Sequence, residues 1–203
     1  MKIKLERLAL GLILVPVAPL VGLLGCWWTA YALLPETWIP FIAIAGLLIG
    51  ILLDFFLVKK VLERRPSLPF WVAVYLFYSI GVFGFFMGVP VINLALAIPA
   101  GFVVGSRLAE ENANRQQVRN AAQRTAWFTT GVLAFVCAAS AFIALTSSST
   151  ASDLRGMLGL GFEVTRGMII GLILVGGSTL LATCWGLSVA LVSFTSSFLR
   201  RKI

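Results

Sequence analysis

The 203-residue sequence contains no histidine, few charged residues (12%) and only three cysteines. The absence of histidine excludes haem ligation by histidine, histidine-based zinc sites and Ser-His catalytic triads. A soluble domain carries about 25% charged residues, so the low charge excludes a water-soluble globule. Cys26, Cys137 and Cys184 lie in apolar segments without CxxC spacing. Because we expect them at different membrane depths, we predict that they pack as small side chains and form no disulfide.

Acidic residues are also scarce, with 8 Asp and Glu against 16 Lys and Arg. The resulting pI of about 10.0 would suggest nucleic-acid binding in a soluble protein. Here the basic residues instead occupy short clusters between apolar blocks, which is the pattern of membrane topology signals. We therefore expect no nucleic-acid partner.

Apolar side chains dominate the sequence, at 60% of the residues and a mean hydropathy of +0.99. A helix that crosses a membrane needs about 20 apolar residues, and backbone groups in lipid must be satisfied within each helix. The sequence therefore predicts an all-α fold, a single transmembrane domain over residues 1–203 and a lipid bilayer as its partner. The six predicted transmembrane helices of this polytopic bundle occupy residues 8–34, 38–58, 69–87, 91–106, 126–145 and 167–192.

The basic residues alternate between the connections. Fourteen of the sixteen fall at the N-terminus, after the second helix, between the fourth and fifth helices, and at the C-terminus: Lys2, Lys4, Arg7, Lys59, Lys60, Arg64, Arg65, Arg107, Arg115, Arg119, Arg124, Arg200, Arg201 and Lys202. The opposite side keeps only Arg155 and Arg166. The positive-inside rule then predicts that both termini are cytoplasmic, in an integral protein of the cell membrane.

Two connections are longer than turns. Residues 108–125 contain many helix formers, and we expect a cytoplasmic helical extension of the fourth helix, either as a solvated charged helix or as a docking surface. Residues 152–163, on the outer side, are too few to cross the bilayer and too apolar for water. They predict a short interfacial or re-entrant segment, with Ser152 or Asp153 as a helix cap and a lid over an outward cavity as the alternative.

Prolines interrupt the first and fourth predicted helices, which occupy corresponding places in the two three-helix halves. Paired interruptions of this kind are a feature of transporter binding sites, and a few neutral polar groups lie in neighbouring helices. Packing and local satisfaction of the helix backbone are the alternatives. The residues predicted to bind a substrate are Pro16, Pro19, Tyr78, Asn93, Pro99 and Ser178.

Asp54 is the single carboxylate expected inside a span, near its inner boundary. Such a group is costly in a membrane, and we predict a structural ion pair with Arg107, with Lys59 as the other candidate partner and proton or cation coupling as the alternative role. Glycines four residues apart predict close helix contacts, within the bundle or with another subunit. These pairs are Gly46 and Gly50, Gly84 and Gly88, Gly101 and Gly105, and Gly167 and Gly171.

No catalytic motif is present in the sequence, and we expect neither a cofactor nor a metal; an enzyme is the least supported class. The main hypothesis is a transporter or solute-binding membrane component for a neutral or amphipathic small molecule. The alternative is a non-catalytic subunit, anchor or assembly factor of a larger membrane complex. Its membrane-protein partner would contact the glycine faces or residues 108–125. The oligomeric state is left open.

Overall fold

The computed structural model describes residues 10–63, 66–85, 89–159 and 161–200, without the side chains of residues 57, 59, 62, 63, 157 and 158. Within these ranges the chain is helical and contains no strand. Six of the described helices are long and apolar enough to cross a membrane: Leu10–Leu33, Glu36–Phe56, Leu68–Phe85, Ile92–Glu110, Arg115–Thr146 and Arg166–Arg200. The predicted all-α class and the six candidate spans are confirmed at this level.

Several residues used in the sequence argument lie outside the described part of the chain. They belong to the predicted topology signals, one glycine pair and the outer segment: Lys2, Lys4, Arg7, Arg64, Arg65, Gly88, Leu160, Arg201 and Lys202.

The helices follow one another with short connections. They are α1 (Val17–Leu33), α2 (Ile39–Glu63), α3 (Leu68–Phe85), α4 (Ala97–Glu110), α5 (Arg115–Thr146), α6 (Thr150–Leu158) and α7 (Arg166–Arg200), with 3-10 helical segments at Glu36–Trp38 and Ile92–Leu96. The contacts divide the chain into two compact units, Met1–Val74 and Tyr75–Ile203, which we call unit 1 and unit 2.

Unit 1 is built on close packing of α1 against α2, which the glycines permit. A side chain at Gly22 would overlap the backbone carbonyl of Gly46, and one at Gly46 would lie 2.6 Å from Cys26 Sγ. A Cβ atom at Gly50 would lie 2.5 Å from the Cα atom of Pro19. Small residues at these positions let the two backbones approach, so the pair Gly46 and Gly50 packs within the chain.

The turn between α4 and α5 corrects one expectation. We expected residues 108–125 to extend the fourth helix, but α4 ends at Glu110 and the extension belongs to α5. Asn112 adopts a left-handed conformation (φ 50°), and the amides of Asn112 and Ala113 donate to the carbonyls of Ala109 and Leu108. This is the Schellman arrangement that ends a helix.

The following helix is started by a reciprocal pair of hydrogen bonds. The Gln117 amide donates to Asn114 Oδ1 at 2.9 Å, and the Asn114 amide donates to Gln117 Oε1 at 2.7 Å. This capping box satisfies two of the amides that a helix start leaves unpaired. Residues 115–125 are therefore the first turns of α5, which continues without interruption to Thr146.

The core of unit 2 forms between the antiparallel helices α5 and α7. Thr129 Oγ1 and Ser188 Oγ share a buried hydrogen bond of 2.8 Å. Eight residues make up the neighbouring apolar cluster, of which three are fully buried (Ala97, Leu133, Cys184) and five pack against them (Leu94, Cys137, Leu180, Leu181, Leu187). The expectation that all three cysteines lie at different depths is wrong for Cys137 and Cys184, because the antiparallel register brings both to one cluster. Both thiols are free.

Helix α4 lies parallel to α7 and also packs through glycines. A Cβ atom at Gly101 would lie 2.5 Å from Leu191 Cβ, and one at Gly105 would lie 2.7 Å from Thr195 Cβ. In contrast, Gly171 has open space around it. The pair Gly101 and Gly105 therefore packs inside unit 2, whereas Gly171 makes no close contact with the described part of the chain.

The segment that we predicted to lie on the outer side contains a short helix, α6, that begins earlier than expected. Its first residue is Thr150 and the residue before it is Ser149, so Ser152 and Asp153 lie in the first turn and are not caps. Asp153 instead accepts a 2.8 Å hydrogen bond from Ser149 Oγ. Gly159 ends the helix in a left-handed conformation (φ 60°), which glycine adopts without steric cost.

Candidate functional site

The 3-10 segment Ile92–Leu96 holds the most deeply buried polar group of the predicted set. Asn93 is 3% exposed, and its Nδ2 donates a 2.9 Å hydrogen bond to the backbone carbonyl of Ser79 in α3. The tighter 3-10 geometry turns Asn93 towards α3 just before Pro99 and the regular turns of α4. This side chain therefore ties the irregular start of the fourth span to α3.

The position of this segment along the bundle follows from its contacts. Leu94 and Ala97 pack in the cluster that contains Leu133 of α5 and Cys184 of α7. Leu133 lies six residues beyond Trp127, which at 1.5 Å per residue corresponds to about 9 Å along α5. The 3-10 segment therefore lies beside the middle turns of α5.

Two polar atoms at this place lack a partner of normal geometry within the described chain. They are Asn93 Oδ1 and the hydroxyl oxygen of Ser79, a residue that is only 2% exposed. A buried carbonyl or hydroxyl oxygen without a hydrogen bond costs about 1–3 kcal/mol, so native structures rarely keep one without a role. Asn93 Oδ1 is therefore an acceptor that a bound molecule would satisfy, whereas the Ser79 hydroxyl also interacts with the Tyr75 side chain. Ser79 is one of the few polar residues that the sequence places in the third span.

Two tyrosines lie close to Ser79 in the sequence of α3. The Tyr75 ring is buried and contacts Phe128 of α5, with ring centroids 5.3 Å apart. Tyr78, one residue before Ser79, is half-buried. Tyr78 and Asn93 thus lie on elements that meet at Ser79, as the substrate hypothesis requires, but that hypothesis stays a prediction.

The other predicted substrate residues lie on or beside α1, α4 and α7. Ser178 is exposed on α7, and Pro99 is half-buried near the start of α4. In unit 1, Pro16 is exposed at the break before α1, whereas Pro19 packs against Gly50. Pro16 interrupts the first span as expected, since the helical turns resume only at Val17. The expected breaks at Pro19 and Pro99 are wrong, because each proline lies in the first turn of a continuous helix, where its missing N–H group leaves no bond unmade.

Asp54 is half-buried on α2 in unit 1, and Arg107 is half-buried on α4 in unit 2. Their ion pair stays a prediction. If it forms, Asp54→Asn lowers stability, and exchanging the two residues restores part of it.

Asn93 is not among the residues that line two open cavities. One has a volume of about 320 Å³ and is lined by Trp27, Trp28 and Tyr31 of α1. The other, of about 550 Å³, lies beside α6 and is lined by Arg155, Glu163 and neighbouring residues. All three aromatic side chains of the first are exposed, which is typical of an aromatic belt at a membrane interface.

Comparison with protein-family models, with curated proteins and with solved structures finds no match. No group of three or more Cys, Asp or Glu residues within the described ranges is arranged to hold a metal ion. The polar atoms at Asn93 and Ser79 are neutral, and they suit hydrogen bonding to an uncharged molecule.

Proposed function

We propose that this protein is a transporter or solute-binding membrane component that holds a neutral or amphipathic small molecule beside Asn93. The observation that carries the proposal is the buried, unpartnered Asn93 Oδ1 on an irregular segment beside the middle of α5. Irregular backbone at membrane depth is tolerated where protein covers it or where it lines a cavity. Interrupted helices of this kind hold the substrates of many transporters.

The depth that we propose for the site follows from the length of α5. Residues 127–146 form its apolar part, and 20 residues of helix span about 30 Å, the thickness of the hydrocarbon core. With Trp127 at one boundary, the segment Ile92–Leu96 beside Leu133 and Cys137 lies about 9–15 Å into the membrane. The fourth span then begins near mid-depth, although Ile92–Glu110 is long enough to cross.

The chemistry around Asn93 favours an uncharged substrate. The residues that pack with Leu94 and Ala97 of this segment are apolar, and a charged solute at this depth would lack a compensating partner. An amide carbonyl and a hydroxyl fit a donor such as an alcohol, amide or ring N–H group.

The orientation proposed for the chain has both termini in the cytoplasm of a cell-membrane protein. Arg200 donates to the carbonyl of Ala113, so the end of α7 lies beside the α4–α5 turn. This end of unit 2 also carries Arg107, Arg115 and Arg119, and we call it the basic end. The clustering supports a cytoplasmic position for the basic end.

The test is uptake of uncharged solutes of increasing size (urea, glycerol, a hexose, a nucleoside) by proteoliposomes. We expect saturable uptake of at least one solute, and Asn93→Leu to reduce it at least tenfold, because the site loses its hydrogen-bonding atoms. Thr179→Val, on an exposed face of α7, is the matched control and retains uptake. Protection of Cys184 from alkylation reports that each variant is folded. Saturable uptake that survives in Asn93→Leu would contradict this site.

A second candidate function, a subunit of a larger membrane complex, is favoured by one face of α7. Ser178, Ala182, Gly186 and Ala190 are all exposed and follow one another at four-residue spacing. Such a row lets another helix approach closely in lipid. If the wild type takes up no solute and purifies with a stoichiometric membrane protein, this function replaces the first.

A further inference from the structure

The first three turns of α5 carry positive charge on their exposed side. Arg115, Arg119 and Arg124 are all exposed, while Ala122 and Ala126 face the core of unit 2. Helix α5 contains no acidic residue from Arg115 to Thr146. The exposed side is therefore basic, and the same helix continues into an apolar span.

Trp127 marks where this basic side meets the apolar part of the helix. Its indole is 70% exposed and contacts the Trp185 ring of α7 edge to face, with ring centroids 4.6 Å apart. Exposed tryptophans at the end of an apolar span prefer the membrane interface, where the ring body meets lipid and the N–H group meets polar headgroups.

The rise of the helix then sets the height of each arginine above this interface. At 1.5 Å per residue, Arg124 lies about 4.5 Å from Trp127 along the axis, Arg119 about 12 Å and Arg115 about 18 Å. The headgroup layer on each side of a bilayer is about 5–8 Å thick. Arg124 thus lies inside this layer, Arg119 beyond its outer edge and Arg115 in water.

Arg124 and Trp127 also share one face of the helix, since residues three apart are neighbours. We propose that Arg124 and Trp127 form a binding site for the headgroup phosphate of an anionic phospholipid. The guanidinium donates paired hydrogen bonds to the phosphate oxygens, and the indole packs against the glycerol and upper acyl region.

The charge of α5 and the depth of Arg124 favour an anionic lipid as the occupant of this site. An anionic lipid supplies a phosphate at the height of Arg124 and carries a net negative charge that matches this side of α5. The negatively charged lipids of the cytoplasmic leaflet attract basic segments beside membrane spans, which agrees with the orientation proposed for the basic end.

The test is native mass spectrometry of the whole protein released from vesicles of equimolar phosphatidylglycerol and phosphatidylcholine. We expect the wild type to retain phosphatidylglycerol in preference to phosphatidylcholine. Arg124→Gln is expected to reduce this retention about fivefold, the usual contribution of one basic residue at a membrane surface. Arg115→Gln, the matched control on the same helix, is expected to change it less than twofold.

Three results would overturn the proposal. Equal losses in Arg124→Gln and Arg115→Gln would show a diffuse charge effect and no site. Displacement of the lipid by millimolar inorganic phosphate would identify a free anion as the ligand. A copurifying acidic protein that Arg124→Gln releases, with lipid retention unchanged, would assign this face to a protein partner. Alkylation of Cys184 at the wild-type rate confirms that both variants are folded.

Discussion

Replacing Gly22 by valine is expected to separate α1 from α2 and to lower the free energy of unfolding by about 3 kcal/mol. A Cβ atom at this position would overlap the carbonyl group of Gly46, and the Gly50 Cα atom lies only 3.6 Å away. Because these contacts are with backbone, no side-chain rotation relieves the overlap. The helices must move apart, and the dispersion contacts along their whole interface are lost.

Native Cys26 reports this separation, since its Sγ atom lies against Gly46. Alkylation by N-ethylmaleimide in detergent is expected to accelerate at Cys26 in Gly22→Val, while Cys184 stays protected. Gly25→Val is the matched control, because a Cβ atom at Gly25 meets no atom within 4 Å. It introduces the same β-branched residue into the same helix. Similar unfolding and labelling in both variants would show that α1 does not pack on α2 as described.

Replacing Gly105 by valine is expected to have a similar effect in unit 2, with a loss of about 2–3 kcal/mol. The new Cβ atom would lie 2.7 Å from Thr195 Cβ and 2.9 Å from the Val192 carbonyl oxygen, both on α7. Displacing α4 removes Ala97 from the apolar cluster that covers Cys184. Cys184 is 1% exposed in the native structure. Cys184 then becomes reactive.

The control for this second variant is Gly131→Val in α5, where a Cβ atom has open space. We expect thermal unfolding of Gly131→Val to remain near that of the wild type, and its Cys184 to remain protected. If Cys184 is as unreactive in Gly105→Val as in Gly131→Val, then α4 and α7 are not in close contact. The depth proposed for Asn93, which rests on that contact, would then be wrong.

The six apolar blocks predict the helices because hydrophobic length is a strong signal for a membrane span. The division between α4 and α5 was missed because Glu110-Glu111-Asn112 contains no glycine or proline. Asparagine also adopts the left-handed conformation that ends a helix, and Asn114 with Gln117 forms a recognisable capping box. With these two signals, residues 115–125 are correctly assigned to α5.

Packing partners could not be predicted in the same way. Lipid and protein interior are equally apolar, so spacing does not distinguish Gly101, which packs against Leu191, from Gly171, which is open. The shared cluster of Cys137 and Cys184 depends on the register between α5 and α7, which is set by three-dimensional contacts. Asn93 was identified from its polarity alone, whereas its bond to the Ser79 carbonyl required the structure.

In the proposed function, the segment before α4 lies at mid-depth, where Asn93 meets the substrate. This depth is tested by single cysteines in a background with the native cysteines replaced, labelled in intact cells by a membrane-impermeant maleimide. Ser148→Cys is expected to be labelled from outside, and Gln116→Cys and Lys60→Cys only after the cells are opened. Val91→Cys is expected to resist labelling from both sides. Labelling of Val91→Cys from outside as fast as Ser148→Cys would place this segment at the outer surface and contradict the mid-membrane site.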